Sequence, residues 1–213
     1  MTPVRILVET TPKKTFVSAL DWPGWSRGGR DEATAVEALL AAAPRYAAVA
    51  AAAGRSFDPD NVDLDVVERV DGDASTAFGV PAIVAAADRA PMDAAEAELS
   101  AMLVEAAWAT LDAIAERAPE SLRKGPRGGG RDTARIVEHV MGADEAYAGV
   151  MGIPPAERHP VAALRATILA ILREPSDGSP IGGRKWPPRY AARRIAWHAL
   201  DHAWEIEDRS EPG

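Results

Sequence analysis

The stretch Arg193-Arg-Ile-Ala-Trp-His-Ala-Leu-Asp-His-Ala-Trp-Glu-Ile-Glu-Asp208 decides how the second half of this chain folds. Its apolar residues recur at the three- and four-residue spacing that is typical of an amphipathic helix. Within that helix His198 and His202 lie four positions apart, so both imidazoles project from one face, about one turn from each other. Such a pair can bind a single metal ion when a neighbouring helix supplies a third ligand.

Helical periodicity extends over the rest of the second half. It predicts one helix over residues 94–118, a second from Asp132 or Thr133 to about residue 150, and a third over residues 160–173. The helix that carries the histidine pair is the fourth, over residues 189–208. Loops rich in glycine and proline separate the four segments. Four helices of this length with short connections favour a four-helix bundle.

The first half of the chain has strand periodicity instead. Short β-branched runs at residues 4–9 and 15–20 predict a hairpin, and residues 62–70 return to strand character. Between them, Asp31 is a candidate N-cap for an alanine-rich helix that Pro44 is expected to kink or split. The order of these elements predicts a β-β-α-β unit with the helix on one face of a small sheet.

The change of periodicity indicates two domains. Glycine and proline residues and the loss of the strand pattern coincide near residues 72–92. The sequence therefore predicts an α+β fold with a small domain over residues 1–85 and a helical domain over residues 86–213. Residues 21–30, in the first of these, have the composition of turns.

Composition excludes several classes of protein. The 213 residues are 47% hydrophobic and 26% charged, as is usual for a globular protein with a core. A formal net charge of −8 argues against nonspecific binding to nucleic acid or anionic membrane. The chain has no cysteine, and hence no disulfide or catalytic thiol. It has neither an apolar run of ~18 residues nor a secretory hydrophobic region at its start, so we expect a cytoplasmic protein without a membrane span.

His139, in the second predicted helix, is the candidate third ligand for the pair in the fourth helix. Three neutral imidazoles suit zinc, nickel, iron or copper, and three protein ligands leave a coordination position open for water or substrate. The alternative is that His198 and His202 flank a buried stripe and bond to the backbone while His139 is a core residue. The spacing alone does not separate these alternatives.

Charged residues accompany the histidine pair along the fourth helix. Asp201, Glu205 and Asp208 lie near the histidine face, where they can orient imidazole N–H groups or form a solvated acidic surface. Arg193 and Arg194 can pair with those acids one turn away or meet an anionic substrate.

Three segments of the second half carry a resemblance to a known family. They are Ala107-Trp-Ala-Thr-Leu-Asp-Ala-Ile-Ala115, Arg135-Ile-Val-Glu-His-Val140 and the pair His198-x-x-x-His202. With them, residues 92–208 resemble the DinB-like superfamily, which includes the N-terminal domain of mycothiol-dependent maleylpyruvate isomerase and the bacillithiol transferases. The resemblance implies a four-helix bundle with a metal held by one histidine of the second helix and two of the fourth.

Carried over to this chain, the implied metal ligands are His139, His198 and His202, and the expected ion is zinc, nickel or iron. His159, beside Pro160 in a predicted loop, is not expected to bind. The resemblance also implies a low-molecular-weight thiol as a possible cofactor, a small-molecule substrate and a possible homodimer.

The segment Phe16-Val-Ser-Ala-Leu-Asp-Trp-Pro-Gly-Trp25, followed by Gly29 and the helix start Glu32-Ala33, carries a second resemblance. With it, residues 4–53 resemble the HicB-type antitoxin fold, a small ribonuclease-H-like sheet. The chain shows no basic helix-turn-helix or ribbon-helix-helix element, so DNA binding is not expected.

Two functions are compatible with these features. The first is a metal-dependent enzyme that activates a low-molecular-weight thiol or water at the three histidines for transfer to a small electrophile. The second is a non-enzymatic binding or regulatory module with HicB-like protein contacts and a metal that is structural or absent.

Overall fold

A computed structural model describes residues 3–124, 130, 132–155 and 160–210 of the chain. The fold is mixed α+β, with a four-stranded sheet in the N-terminal half followed by a helical region. The strands are β1 (Val4–Thr10), β2 (Thr15–Ala19), β3 (Ser26–Gly29) and β4 (Leu64–Asp71). Their order in the sheet is β3-β2-β1-β4, with β4 parallel to β1 and the other two pairs antiparallel.

The predicted hairpin is confirmed by β1 and β2. Val8 lies opposite Val17 in the register, and the turn is closed by the Thr11 N–H, which donates to the Lys14 carbonyl at 2.8 Å. Every residue of β2 is buried, because helices pack against this strand. The predicted strand over residues 62–70 is confirmed by β4.

The sequence did not predict β3, which lies within the stretch assigned to turns. Half of its four residues are glycines, which have low strand propensity. A Cβ on Gly29 would lie 2.3 Å from the backbone nitrogen of Ala35, so glycine allows the following helix to pack directly on the strand. This strand is therefore specified by a tertiary contact that the local pattern does not reveal.

The alanine-rich segment forms two helices, α1 (Glu32–Ala41) and α2 (Ala43–Ala52). As predicted, Asp31 caps α1, and its side chain accepts a hydrogen bond from the Thr34 N–H at 2.9 Å. Pro44 lies in the first turn of α2, where its missing N–H costs no helical hydrogen bond. The predicted break is thus confirmed.

Beyond β4 the chain is mainly helical. The elements are α3 (Ala74–Phe78), α4 (Ala94–Arg117), α5 (Thr133–Met151), α6 (Val161–Leu172) and α7 (Pro188–Ser210). The last four confirm the four predicted helices one by one, whereas α3 was not predicted. Helix α7 packs against α4 and α5, and α6 packs against the same two helices.

One hydrophobic cluster joins the sheet to the long helices. Fully buried Ile6, Trp25 and Tyr46 belong to the same cluster as Leu103 of α4 and Ile195 of α7. The core is therefore continuous across residues 85 and 86, and the division into two domains at that point stays a prediction about the sequence.

In the described part of the chain no single helix is long and apolar enough to cross a membrane. Helices α1 and α2 reach that length and composition only together, and they are bent by 52° from each other. Both helices contribute buried residues to the core.

Candidate metal centre

Helices α5 and α7 bring the three predicted histidines together. His139 comes from α5, and His198 and His202 come from successive turns of α7. One ring nitrogen of each lies within 4.8 Å of the other two, and the ring centroids are 4.7 to 5.1 Å apart. Nitrogen ligands of one tetrahedral zinc ion are roughly 3.3 Å apart. Small side-chain rotations would reach that spacing, so the three imidazoles could hold a metal ion.

The three imidazoles differ in their access to solvent. His198 is buried, His202 is half-buried and His139 is exposed. The cluster is therefore closed where α7 meets the core and open beside His139. A site of this shape allows a small molecule to approach an ion held by the three rings.

Glu205 orients one of the imidazoles. Its Oε2 atom lies 2.8 Å from Nδ1 of His202, and its Oε1 atom accepts a hydrogen bond from Arg209 at 2.9 Å. The hydrogen bond with His202 and the charge of Arg209 lower the pKa of the Glu205 carboxyl, against the opposing effect of partial burial. A carboxylate that accepts a hydrogen bond from a protonated Nδ1 leaves Nε2 of His202 available to a metal. Of the three acids considered in the sequence, Glu205 thus has the orienting role.

The other two acids form ion pairs with the N-terminal half of the chain. Asp201 accepts a hydrogen bond from Arg27 at 3.2 Å, and Asp208 lies 2.9 Å from Arg45. Their side chains remain 40% and 65% exposed, so they lie on a solvated surface, as the alternative had it. Their ion pairs link α7 to β3 and α2.

Tyr147 of α5 packs against the histidine cluster, a position that sequence analysis did not single out. Its ring centroid lies 5.8 Å from that of His198, in an edge-to-face arrangement. Burial raises the pKa of the Tyr147 hydroxyl, although the charge of Arg194 opposes the shift. The available signal was its spacing, because Tyr147 follows His139 by about two helical turns.

The two arginines at the start of the quoted stretch have different surroundings. Arg193 forms a buried bidentate ion pair with Asp88, with contacts of 2.9 and 2.5 Å, and not with the acids of its own helix. Arg194 lies over the rings of Tyr147 and Trp197, at 5.1 and 4.8 Å from their centroids. The contacts with Asp88 and Tyr147 do not follow from the spacing along α7, because these two residues lie elsewhere in the chain. Trp197, in contrast, lies three positions after Arg194 on the same helix face.

The fourth histidine, His159, was predicted not to bind metal and lies outside the described residues. Comparisons of the chain with protein-family models, with curated proteins and with solved structures returned no match. Function is therefore inferred from the site itself and from the resemblances carried by the sequence.

Proposed function

We propose that this protein is a metal-dependent enzyme that activates a low-molecular-weight thiol or a water molecule for transfer to a small electrophile. The observation that carries the proposal is the convergence of three imidazole nitrogens, from two helices, within 4.8 Å of one another. Neutral imidazole ligands suit zinc, nickel or iron. With three protein ligands, a position remains for the reacting molecule.

The order of the elements supports a DinB-like arrangement. We propose that α4 to α7 form a four-helix bundle of this kind, in which the second helix contributes His139 and the fourth contributes the pair. The sheet and α1 would then be the HicB-like part of the chain, which forms the wall beside the bundle. These assignments depend on the sequence resemblances and on the order in which the helices follow one another.

The residues around the histidines have distinct roles in this proposal. A divalent ion bound there would act as a Lewis acid and lower the pKa of a thiol or water. His139, His198 and His202 would hold it, and Glu205 would keep the His202 ring in position by its hydrogen bond at 2.8 Å. Tyr147 would restrict rotation of the buried His198 ring by packing against its edge.

Metal binding is tested by mass spectrometry of the gently purified protein and by titration with zinc and nickel. We expect about one ion per chain, and each of the substitutions His139→Ala, His198→Ala and His202→Ala should weaken binding by more than about 100-fold. That loss exceeds the 10- to 100-fold effect typical of residues that only support a ligand. The matched control is His159→Ala, which should bind metal as the unsubstituted protein does.

The same experiment separates the enzyme from the alternative function. A metal-free protein whose zinc affinity is unchanged by His198→Ala and His202→Ala would remove the basis of the proposal. A stoichiometric protein partner that docks on residues 1–70 would then favour a HicB-like regulatory module.

A further inference from the structure

A cleft of about 850 Å³ lies beside the C-terminal half of α7. Its apolar floor is formed by Ala38, Ala41 and Ala42, at the break between α1 and α2, and by Trp204 of α7. Helices α1 and α2 are bent by 52° from each other at this break, and the alanine side chains that line the cleft there are small. This volume falls within the range of about 300–1,000 Å³ that is usual for sites that bind small molecules.

The cleft adjoins the histidine cluster through two residues of α7. Glu205 lines the cleft and also bonds to Nδ1 of His202. Asp201 lines it as well and directly precedes His202 in α7. A molecule in the cleft would therefore lie next to the side chain that orients one of the candidate metal ligands.

The charge of the cleft is opposite to that of the chain as a whole. Five basic side chains line it against three carboxylates, although the chain has a net charge of −8. The basic residues are Arg27, Arg45, Arg123, Lys124 and Arg209. A concave surface with excess positive charge on an acidic protein concentrates small anions and repels cations.

Three of the five cations are paired with carboxylates. Arg27 contacts Asp201, Arg45 contacts Glu207 and Asp208, and Arg209 contacts Glu205. Among the residues that the structure describes, no carboxylate pairs with either of the other two, Arg123 and Lys124. The excess positive charge is therefore located on Arg123 and Lys124, which form one wall of the cleft.

That wall is attached to the end of α7 by hydrogen bonds. The backbone N–H of Arg123 donates to the Arg209 carbonyl at 3.0 Å, and the Arg209 side chain donates to the Arg123 carbonyl at 2.7 Å. The Arg123 guanidinium also donates to the Asp208 carbonyl at 2.6 Å. These bonds hold the backbone that carries Lys124 against the cleft, which favours binding because less freedom is lost when a ligand arrives.

We infer that the cleft binds a small carboxylate-bearing molecule whose negative charge lies against Arg123 and Lys124. This inference rests on the proposed function, because it identifies the cleft as the substrate site that serves the three histidines. The apolar floor accommodates the carbon skeleton of the ligand, and Arg27, which has a single contact with Asp201, has further N–H donors for a second polar group.

Succinate is a suitable probe, and succinamide, which has a similar shape without charge, is its control. Both are titrated into metal-free and zinc-loaded protein at low ionic strength and followed by nuclear magnetic resonance of the backbone amides. We expect succinate to bind more tightly than succinamide and to shift the amide resonances of the cleft. Lys124→Gln should weaken succinate binding about tenfold, the effect of losing one hydrogen bond to a charged group.

The matched control variant is Lys185→Gln, because this exposed lysine precedes the opposite end of α7 and should not affect the affinity. Equal binding of succinate and succinamide, or an unchanged succinate affinity in Lys124→Gln, would overturn the inference. Succinate binding that depends on Lys124 in a protein that binds no zinc would refute the metal-dependent function and leave the anion site standing. Zinc binding without succinate binding would refute the anion site alone.

Discussion

Two of the Arg–Asp ion pairs that connect α7 to earlier parts of the chain differ in geometry and exposure. Arg193 and Asp88 form a bidentate pair whose side chains are 7% and 2% exposed. Arg27 and Asp201 form a single contact of 3.2 Å, with side chains 18% and 40% exposed. The Arg193–Asp88 pair is buried in the core, whereas the Arg27–Asp201 pair lines an open cleft.

The difference shows that the same two residue types serve different purposes in the two places. A buried ion pair has lost its water, so each partner depends on the other for its hydrogen bonds. A partly exposed pair keeps its water, contributes little to stability and leaves donors available to a ligand. The part of α7 at Arg193 is therefore suited to stabilising the fold, whereas the part at Asp201 is suited to binding a ligand.

Removing Asp88 should have the largest effect on stability. In Asp88→Ala the Arg193 guanidinium stays buried without its counter-charge, and we expect the free energy of unfolding to fall by about 3–5 kcal/mol. Urea denaturation measures this change. The matched variant Asp201→Ala should lose less than about 1 kcal/mol, because its pair is partly exposed and makes a single contact. Equal losses in the two variants would abolish the distinction between the pairs.

A third pair, Asp144 of α5 with Arg165 of α6, lies between these two cases. Asp144 is 1% exposed but its contact with Arg165 is 3.4 Å long. Burial raises the pKa of the Asp144 carboxyl to about 6, although the charge of Arg165 opposes the shift. The folded protein therefore binds this proton more tightly than the unfolded chain does. The stabilisation that results is complete below about pH 4 and is lost as the pH rises through 6.

The Asp144→Asn variant should lack this dependence. Relative to the unsubstituted protein, its free energy of unfolding should rise by about 3 kcal/mol between pH 4 and pH 7, because the shift covers about two pKa units. Urea denaturation at a series of pH values measures the difference. Asp112→Asn, which removes the exposed partner of Arg165, is the control and should show a much smaller rise, because the charge of Asp112 is the least of the causes that act on the pKa of Asp144. If the free energy of unfolding varied with pH in parallel for Asp144→Asn and the unsubstituted protein, the raised pKa of Asp144 would be contradicted.

The smallest of these effects is expected for Glu205, on the open side of α7. In Glu205→Gln the side chain keeps its length but loses the charge that favours one orientation of the His202 ring. We expect zinc affinity to fall 10- to 100-fold, as is usual for a carboxylate that supports a histidine ligand. Calorimetric titration with zinc measures this. Glu207→Gln is the control on the same helix, since Glu207 contacts arginines and not the histidines. A similar loss in both variants would mean that the net charge of the helix matters and the hydrogen bond does not.

Much of the secondary structure was predictable because its signals are local. The strand alternation of β1, β2 and β4 and the Asp31 cap are visible over a few residues. In contrast, β3 has a turn-like composition and exists because Gly29 lets α1 pack on the strand. The short helix α3 also lies where the sequence indicated only a boundary.

The sequence by itself determined that His198 and His202 share one face of a helix, because helical periodicity places residues four apart on one side. It did not determine the distance from that face to His139, which lies 59 positions earlier in the chain. The tertiary structure alone decided that His139 completes the cluster, that Asp88 neutralises Arg193 across 105 positions, and that Arg123 and Lys124 line one cleft together with the acids of α7. The physical reason is that periodicity is a property of a single element, whereas contacts between distant side chains depend on how the elements pack around a common core.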